Sequence, residues 1–274
     1  MSSDKKDSKK GGCGCIVFML LLAFLPGYFL YTRYTSHLFP AVRASRAPRR
    51  SPGAKFDWPR GGTDGKVELA ADLTMRNYYI ILDGSGSMSD KECGGGTTKI
   101  EAAKQALAEF AKSVPASAQL GLAAFDAQGP TERVPLGRGN RDRFLQEVRS
   151  VSSNGDTPLK TAITLGIGKL EDAARRQLGY GEYNLVIVTD GAANPSSEDP
   201  GEVIDDILAR SPVTIHTIGF CIGKDHSLNQ PGRTIYRTAD NPAELRSGLG
   251  EVLAEAETFD VAKFAAPKGG AAPH

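Results

Sequence analysis

The run Tyr78 to Leu82, YYIIL, is aliphatic or aromatic at every one of five positions and ends at Asp83. A strand with one wet face alternates polar and apolar residues, so an unbroken run of this kind needs apolar cover on both sides. NLVIV, Asn184 to Val188, repeats the pattern and leads into Thr189 and Asp190. Amphipathic helices are available as cover. Ile100 to Ser113 sets Ile100, Ala103, Leu107 and Phe110 on one helical face, and Arg141 to Val151 and Leu159 to Gln177 also read as helices. Gln119 to Phe125 and Glu132 to Leu136, joined by turn residues from Asp126 to Pro130, read as strands, as does Val213 to Phe220. Asp199-Pro200-Gly201-Glu202 and Asn241-Pro242-Ala243-Glu244 each supply a capping side chain, a proline at the first helical position and a glutamate in the first turn. They predict helices from Glu202 to Arg210 and from Ala243 to Glu255. Strands alternating with helices imply an α/β fold, doubly wound, with a mostly parallel central sheet and helices on both faces.

The remaining sequence sorts into appendages. Of 274 residues, 40% are hydrophobic and 24% charged, enough for one domain of about 200 residues. A net charge of +1 gives no field to hold nucleic acid, so that class of partner is set aside. Residues 1–10 are a basic tail. Residues 11–32 carry no charge and, at about 1.5 Å per residue, can cross a hydrocarbon layer of roughly 30 Å. They read as one transmembrane signal anchor. A cleaved secretory signal is the rival, since Pro26 and Gly27 interrupt the apolar part, but the nearest small-residue cleavage pattern, Val42 with Ala44, lies well past it. Four lysines before the segment and five arginines after it leave orientation nearly undecided. The expectation is a single-pass protein with its domain outside the cytoplasm, periplasmic or extracellular. Residues 33–70 form an Arg-, Pro- and Gly-rich linker in which Phe56 and Trp58 could dock on the domain or on a partner, 71–257 the domain, and 258–274 a frayed tail.

In open α/β sheets ligands bind beyond the carboxyl ends of the strands, where strand order reverses. Loops from Asp83 to Gly96, Asp190 to Pro200 and Gly219 to Pro231 leave such ends, and two of them open with an aspartate. Two carboxylates brought together at neighbouring strand ends repel unless a positive charge lies between them. A hard divalent cation answers this, with hydroxyls as further oxygen ligands. Ser85 and Ser87 qualify, with Gly84 and Gly86 allowing a tight loop. Thr157, before the proline-started helix of SNGDTPLK, is a further candidate, and Asp156 a lesser one. His216 reads as a core residue and His226 as a surface one. No G-x-S-x-G surrounds either serine, no second acid follows Asp83 two residues on, and GGGTTK lacks phosphate-loop spacing, so a hydrolase is a minor alternative and no catalytic residue is assigned.

Asp83-Gly-Ser85-Gly-Ser87 after a buried strand, GDTPL with Thr157 and VTDG with Asp190 together resemble the metal-ion-dependent adhesion site of von Willebrand factor type A domains. TIGF, Thr217 to Phe220, is similar to the family as well, and the likeness covers roughly Arg76 to Glu255. It implies a Rossmann-like fold holding Mg2+, Mn2+ or Ca2+ at the top of the sheet. Ser85, Ser87 and Thr157 would serve as hydroxyl ligands, and Asp83 and Asp190 would act directly or through water. It also implies a partner protein that supplies a Glu or Asp carboxylate, and a binding role without catalysis: adhesion, assembly or scaffolding at the cell envelope. Placed in the cytoplasm, such a domain would instead resemble partners of ATPase chaperones. One departure is the long loop SDKECGGGTTK, which carries Cys93. The fold would set it beside the loop of Cys221, either as a disulfide, which suits an exported domain, or as two unpaired thiols.

Overall fold

The computed structural model, which describes residues 57–60 and 67–257, holds six strands and five helices there, and five of the strands and all five helices are those expected from these patterns. In chain order they are β1 (Arg76–Asp83), α1 (Lys99–Ser113), β2 (Gln119–Asp126), β3 (Gly129–Gly137), α2 (Arg141–Ser150), α3 (Leu159–Arg176), β4 (Glu182–Thr189), α4 (Gly201–Arg210), β5 (Thr214–Phe220), β6 (Ile235–Ala239) and α5 (Pro242–Glu257). The segment 11–32 read as an anchor, the tails 1–10 and 258–274 and most of the linker lie outside the described residues. Among the described residues no helix is long and apolar enough to cross a membrane.

The sheet order is β3-β2-β1-β4-β5-β6, parallel throughout except for the antiparallel pair β2 and β3. Successive residues of the two central strands go to opposite faces, which is why neither run contains a polar break. Tyr78, Ile80 and Leu82 of β1 pack with Val186 and Val188 of β4 under α1, α2 and α5. Tyr79 and Ile81 pack with Leu185 and Ile187 under α3 and α4. The four residues expected to line α1, Ile100, Ala103, Leu107 and Phe110, are all buried on the first of these faces.

The helix starts follow the sequence closely. Asn241 Oδ1 accepts from the backbone N–H of both Ala243 and Glu244 at 3.0 Å, while Glu244 reaches back to accept from Asp240 N–H at 2.8 Å. Asp199 Oδ1 accepts from Gly201 N–H at 2.9 Å. In each case donors left over at the first turn are satisfied. At the edge, β6 is a strand that no apolar run announces: IYRTA is half-buried at its first four positions and carries Arg237.

Part of the linker is attached to the domain. The Trp58 ring meets that of Tyr183 edge-on at 5.3 Å, near the start of β4. Beside it, Arg60 N–H donates to Glu171 of α3 at 2.6 Å, and its guanidinium pairs with Asp206 of α4 at 2.6 Å. Phe56 lies outside the described residues.

Candidate metal centre

The sheet topology places β1 and β4 side by side, with chain connections leaving to opposite sides, and this is the switch point where a crevice opens beyond the carboxyl ends. Asp83 is the last residue of β1 and Asp190 follows the last residue of β4. Between them runs a continuous set of hydrogen bonds. Ser85 N–H donates to Asp83 Oδ1 at 2.7 Å, the Ser85 and Ser87 hydroxyls are 3.1 Å apart, and Ser87 Oγ donates to Asp190 Oδ1 at 2.7 Å. Four of the five candidate ligands are thus joined in one cup.

The loop geometry follows from close backbone approaches. Gly84 N–H donates to Phe125 O at 2.8 Å, and a Cβ at residue 84 would lie 2.6 Å from Ser152 O and 2.8 Å from Phe125 O. Only glycine fits there. Gly86 differs: a Cβ there would meet nothing nearer than Gly155 O at 3.7 Å, so its lack of a side chain is not what shapes the loop. A short 3-10 turn, Gly86–Ser89, then buries Met88 beneath the serines.

Thr157 arrives from another direction. Gly86 N–H donates to Gly155 O at 3.1 Å, and Thr157 forms an isolated bridge with Asn194, N–H to O at 3.0 Å and back at 3.1 Å. The GDTPL loop is therefore laced to both the serine loop and the loop after Asp190. Thr157 is 6% exposed, and among the described residues no hydrogen bond engages its hydroxyl. Asp156, the lesser candidate, is exposed and accepts from Asn194 Nδ2 at 3.0 Å.

Two residues of the site went unread in the sequence. Thr189, fully buried, donates to Asp83 Oδ2 at 2.5 Å. Lys99, the first residue of α1, pairs with Asp190 Oδ2 at 2.9 Å, the two side chains being 7% and 0% exposed. All four oxygens of the two carboxylates are thereby engaged. Burial pushes the Asp83 carboxyl up to about 6, with Asp190 adding to the rise, against hydrogen bonds from Ser85 and Thr189 that draw it down.

A hard divalent cation suits this donor set. Two buried carboxylates stand at adjacent strand ends, the Ser85 and Ser87 hydroxyls lie between them, and Thr157 is held in the loop laced to both sides of the cup. Among the described residues no group of three His, Cys, Asp or Glu is gathered as a metal site, and besides its two carboxylates the cup offers a cation neutral hydroxyl oxygens.

The rim is tied down on one side. Cys93 and Cys221, 128 residues apart in sequence, are joined at an S–S distance of 2.06 Å, linking the loop after the serines to the end of β5. Both residues have left-handed backbone, φ 57° and 60°. Further along the loop after β5, His226 Nδ1 accepts from Leu228 N–H at 3.1 Å, so its Nε2 carries the proton that goes to Gly191 O at 2.8 Å. His216 is buried in β5, with Nε2 3.3 Å from Asn184 Oδ1, and plays no part in the cup.

Comparison with known proteins gives a consistent picture. Residues 78–192 match the family model of the von Willebrand factor type A domain. The protein YwmC of Bacillus subtilis (strain 168) is 23% identical over 157 residues, 53% of this chain and 66% of its own length. Among solved structures, a von Willebrand factor type A protein from Catenulispora acidiphila superposes with a TM-score of 0.54 at 20% identity, covering 67% of this chain and 43% of that one. Proximal thread matrix protein 1 from the mussel byssus, solved with a zinc-occupied MIDAS motif, gives 0.53 at 18% identity over 69% of this chain and 49% of that one. The PilB minor pilin from Streptococcus sanguinis gives 0.54 at 12% identity, 70% and 64%. At such identities the likeness to the structures is one of fold, and the chain spans less than two thirds of each of these relatives.

Proposed function

We propose that this chain, which carries a von Willebrand factor type A domain, is a membrane-anchored binding protein. Its site would take a Glu or Asp side chain of a partner through a divalent cation held by Asp83, Ser85, Ser87, Thr157 and Asp190. The observation that carries this is the single hydrogen-bonded set linking Asp83, Ser85, Ser87 and Asp190 across the ends of the two central strands. A bound Mg2+, Mn2+ or Ca2+ supplies a Lewis-acidic position with affinity for a carboxylate oxygen. The protein's own role is to present neutral hydroxyls where further carboxylates would quench that affinity. Ser87 keeps Asp190 oriented, and Thr189 and the Ser85 amide do the same for Asp83.

The role proposed is one of binding: the Ser85 and Ser87 hydroxyls meet each other, Ser87 donates to Asp190, and the imidazole of His226 is committed to Gly191 O. The Cys93–Cys221 bridge supports an extracytoplasmic domain over a cytoplasmic partner of an ATPase, because such bridges persist in oxidising compartments. A role in adhesion, assembly or scaffolding at the cell envelope accords with this fold in a minor pilin and in a byssus protein.

The test is recovery of partners from native membranes by the full chain with and without chelator, alongside Thr157→Ala. The expected outcome is a protein eluted by chelator and absent from the Thr157→Ala recovery, with circular dichroism unchanged. Partners retained equally by a folded Thr157→Ala chain would exclude metal-mediated recognition.

A further inference from the structure

We propose that Lys99 is a built-in counter-charge that weakens the cup's hold on its cation and in exchange leaves the loaded cup positive toward a partner carboxylate. The inference rests on the reading of the site just given and adds a residue that acts through Asp190.

The position of Lys99 is costly on local grounds. It is the first residue of α1, where the helix macrodipole presents its positive end and disfavours a cation. Its side chain is only 7% exposed, and a lysine is rarely buried without a partner. Its backbone is fixed from both sides: Lys99 N–H donates to Asp90 O at 2.8 Å, and the preceding Thr98 hydroxyl caps the helix through Glu101 N–H at 3.4 Å. What compensates is Asp190, fully enclosed, with Oδ2 on Lys99 and Oδ1 on Ser87.

Charge counting gives the consequence. Asp83 and Asp190 contribute two negative charges and Lys99 one positive, so the cup carries −1 and a divalent cation brings it to +1. Without Lys99 the same cup carries −2 and the loaded site is neutral. The nearby Asp126–Arg133 pair, 2.9 Å apart and largely buried, is neutral as a unit and does not alter the count. In a buried site one charge is felt strongly, since screening by water is weak there. Lys99 therefore opposes metal binding and favours the incoming carboxylate.

The experiment uses the full-length chain in detergent, freed of metal, with Mn2+ alone as probe in isothermal titration calorimetry. Lys99→Met removes the charge at nearly constant shape, Lys99→Gln keeps an N–H donor for Asp190 without the charge, and Lys99→Arg keeps the charge. The expected result is Mn2+ binding tighter by roughly ten-fold or more in the two neutral variants and near wild type in Lys99→Arg. With Mn2+ bound, broadening of the acetate methyl proton line should be weaker for Lys99→Gln than for the wild type. A purely structural lysine predicts the reverse for the metal: a loosened Asp190 and equal or weaker Mn2+ binding. That result in either neutral variant that folds overturns the inference, as does equal acetate broadening. Should the wild-type chain bind no Mn2+, the reading of the site itself fails and takes this one with it; should it bind while the variants match it, only the role of Lys99 fails.

Discussion

Replacing Asp83 by asparagine should stabilise the metal-free protein while abolishing its response to metal. Asp83 is fully buried, and desolvation holds its carboxyl at about 6 against an ordinary value of 3.8. The folded state therefore takes up the proton before the unfolded state does. The resulting stability is fully present below 3.8 and is lost as pH rises through about 6. The interval between those values, at about 1.4 kcal/mol per pH unit, corresponds to about 3 kcal/mol forfeited at pH 7.5. An amide avoids this loss and fits the surrounding hydrogen bonds. Its carbonyl can accept from Ser85 N–H, and its N–H can donate to Thr189 Oγ1, whose proton then turns to Gly191 O, 3.2 Å away. For a domain of this size about 3 kcal/mol corresponds to a rise in melting temperature of roughly 6–12 °C. The assay is thermal unfolding by circular dichroism in chelator at pH 7.5 and at pH 4, and again at pH 7.5 with Mg2+. Asp83→Asn should exceed the wild type at pH 7.5, match it near pH 4, and gain nothing from Mg2+. Equal or lower stability at pH 7.5 in chelator, or an advantage that persists unchanged at pH 4, would refute the reasoning.

Three further outcomes are expected. Gly84→Ala forces a Cβ to within 2.6 Å of Ser152 O and 2.9 Å of Val151 Cγ1, and urea unfolding should show a loss of at least about 2 kcal/mol together with weaker metal binding. Opening the Cys93–Cys221 bridge by the double substitution to serine frees a loop of 128 residues and should cost about 5 kcal/mol, seen as a lower denaturant midpoint that reductant no longer changes. His216 is held down at about 4, by burial first and Arg237 second, so its contribution is present above 6.5 and lost as pH falls toward 4; His216→Gln should gain on the wild type by about 3 kcal/mol across that interval in urea titrations at fixed pH.

The central strands and both aspartates were legible because burial on two faces leaves an unbroken apolar run, and its abrupt end in an acid is visible in one line of sequence. The edge strand β6, beyond β5, was not, since a strand half open to water carries Arg237 and Thr238 and has no run to show. Lys99 was hidden for a different reason: its partner lies 91 residues away, and a lysine near a helix start reads as a solvated charge. The one local signal was its place at the wrong end of a helix dipole, which asks for a buried anion. The tight loop was expected to need both Gly84 and Gly86; the structure shows that only the first is sterically required, because Phe125 and Ser152 crowd it from strands and loops remote in sequence.

The attachment of Trp58 and Arg60 has a mechanical meaning. Trp58 meets Tyr183 at the start of β4, and Asp190 follows the end of the same strand, seven residues on, about 23 Å away. A tension applied between residue 57 and whatever the cup holds would run along the strands. Residue pairs from Asn77 to Leu82 link β1 to both of its parallel neighbours, so those ladder bonds would be loaded together in shear and could not open in succession like a zipper. The cup and the Trp58 contact sit at opposite ends of the two central strands.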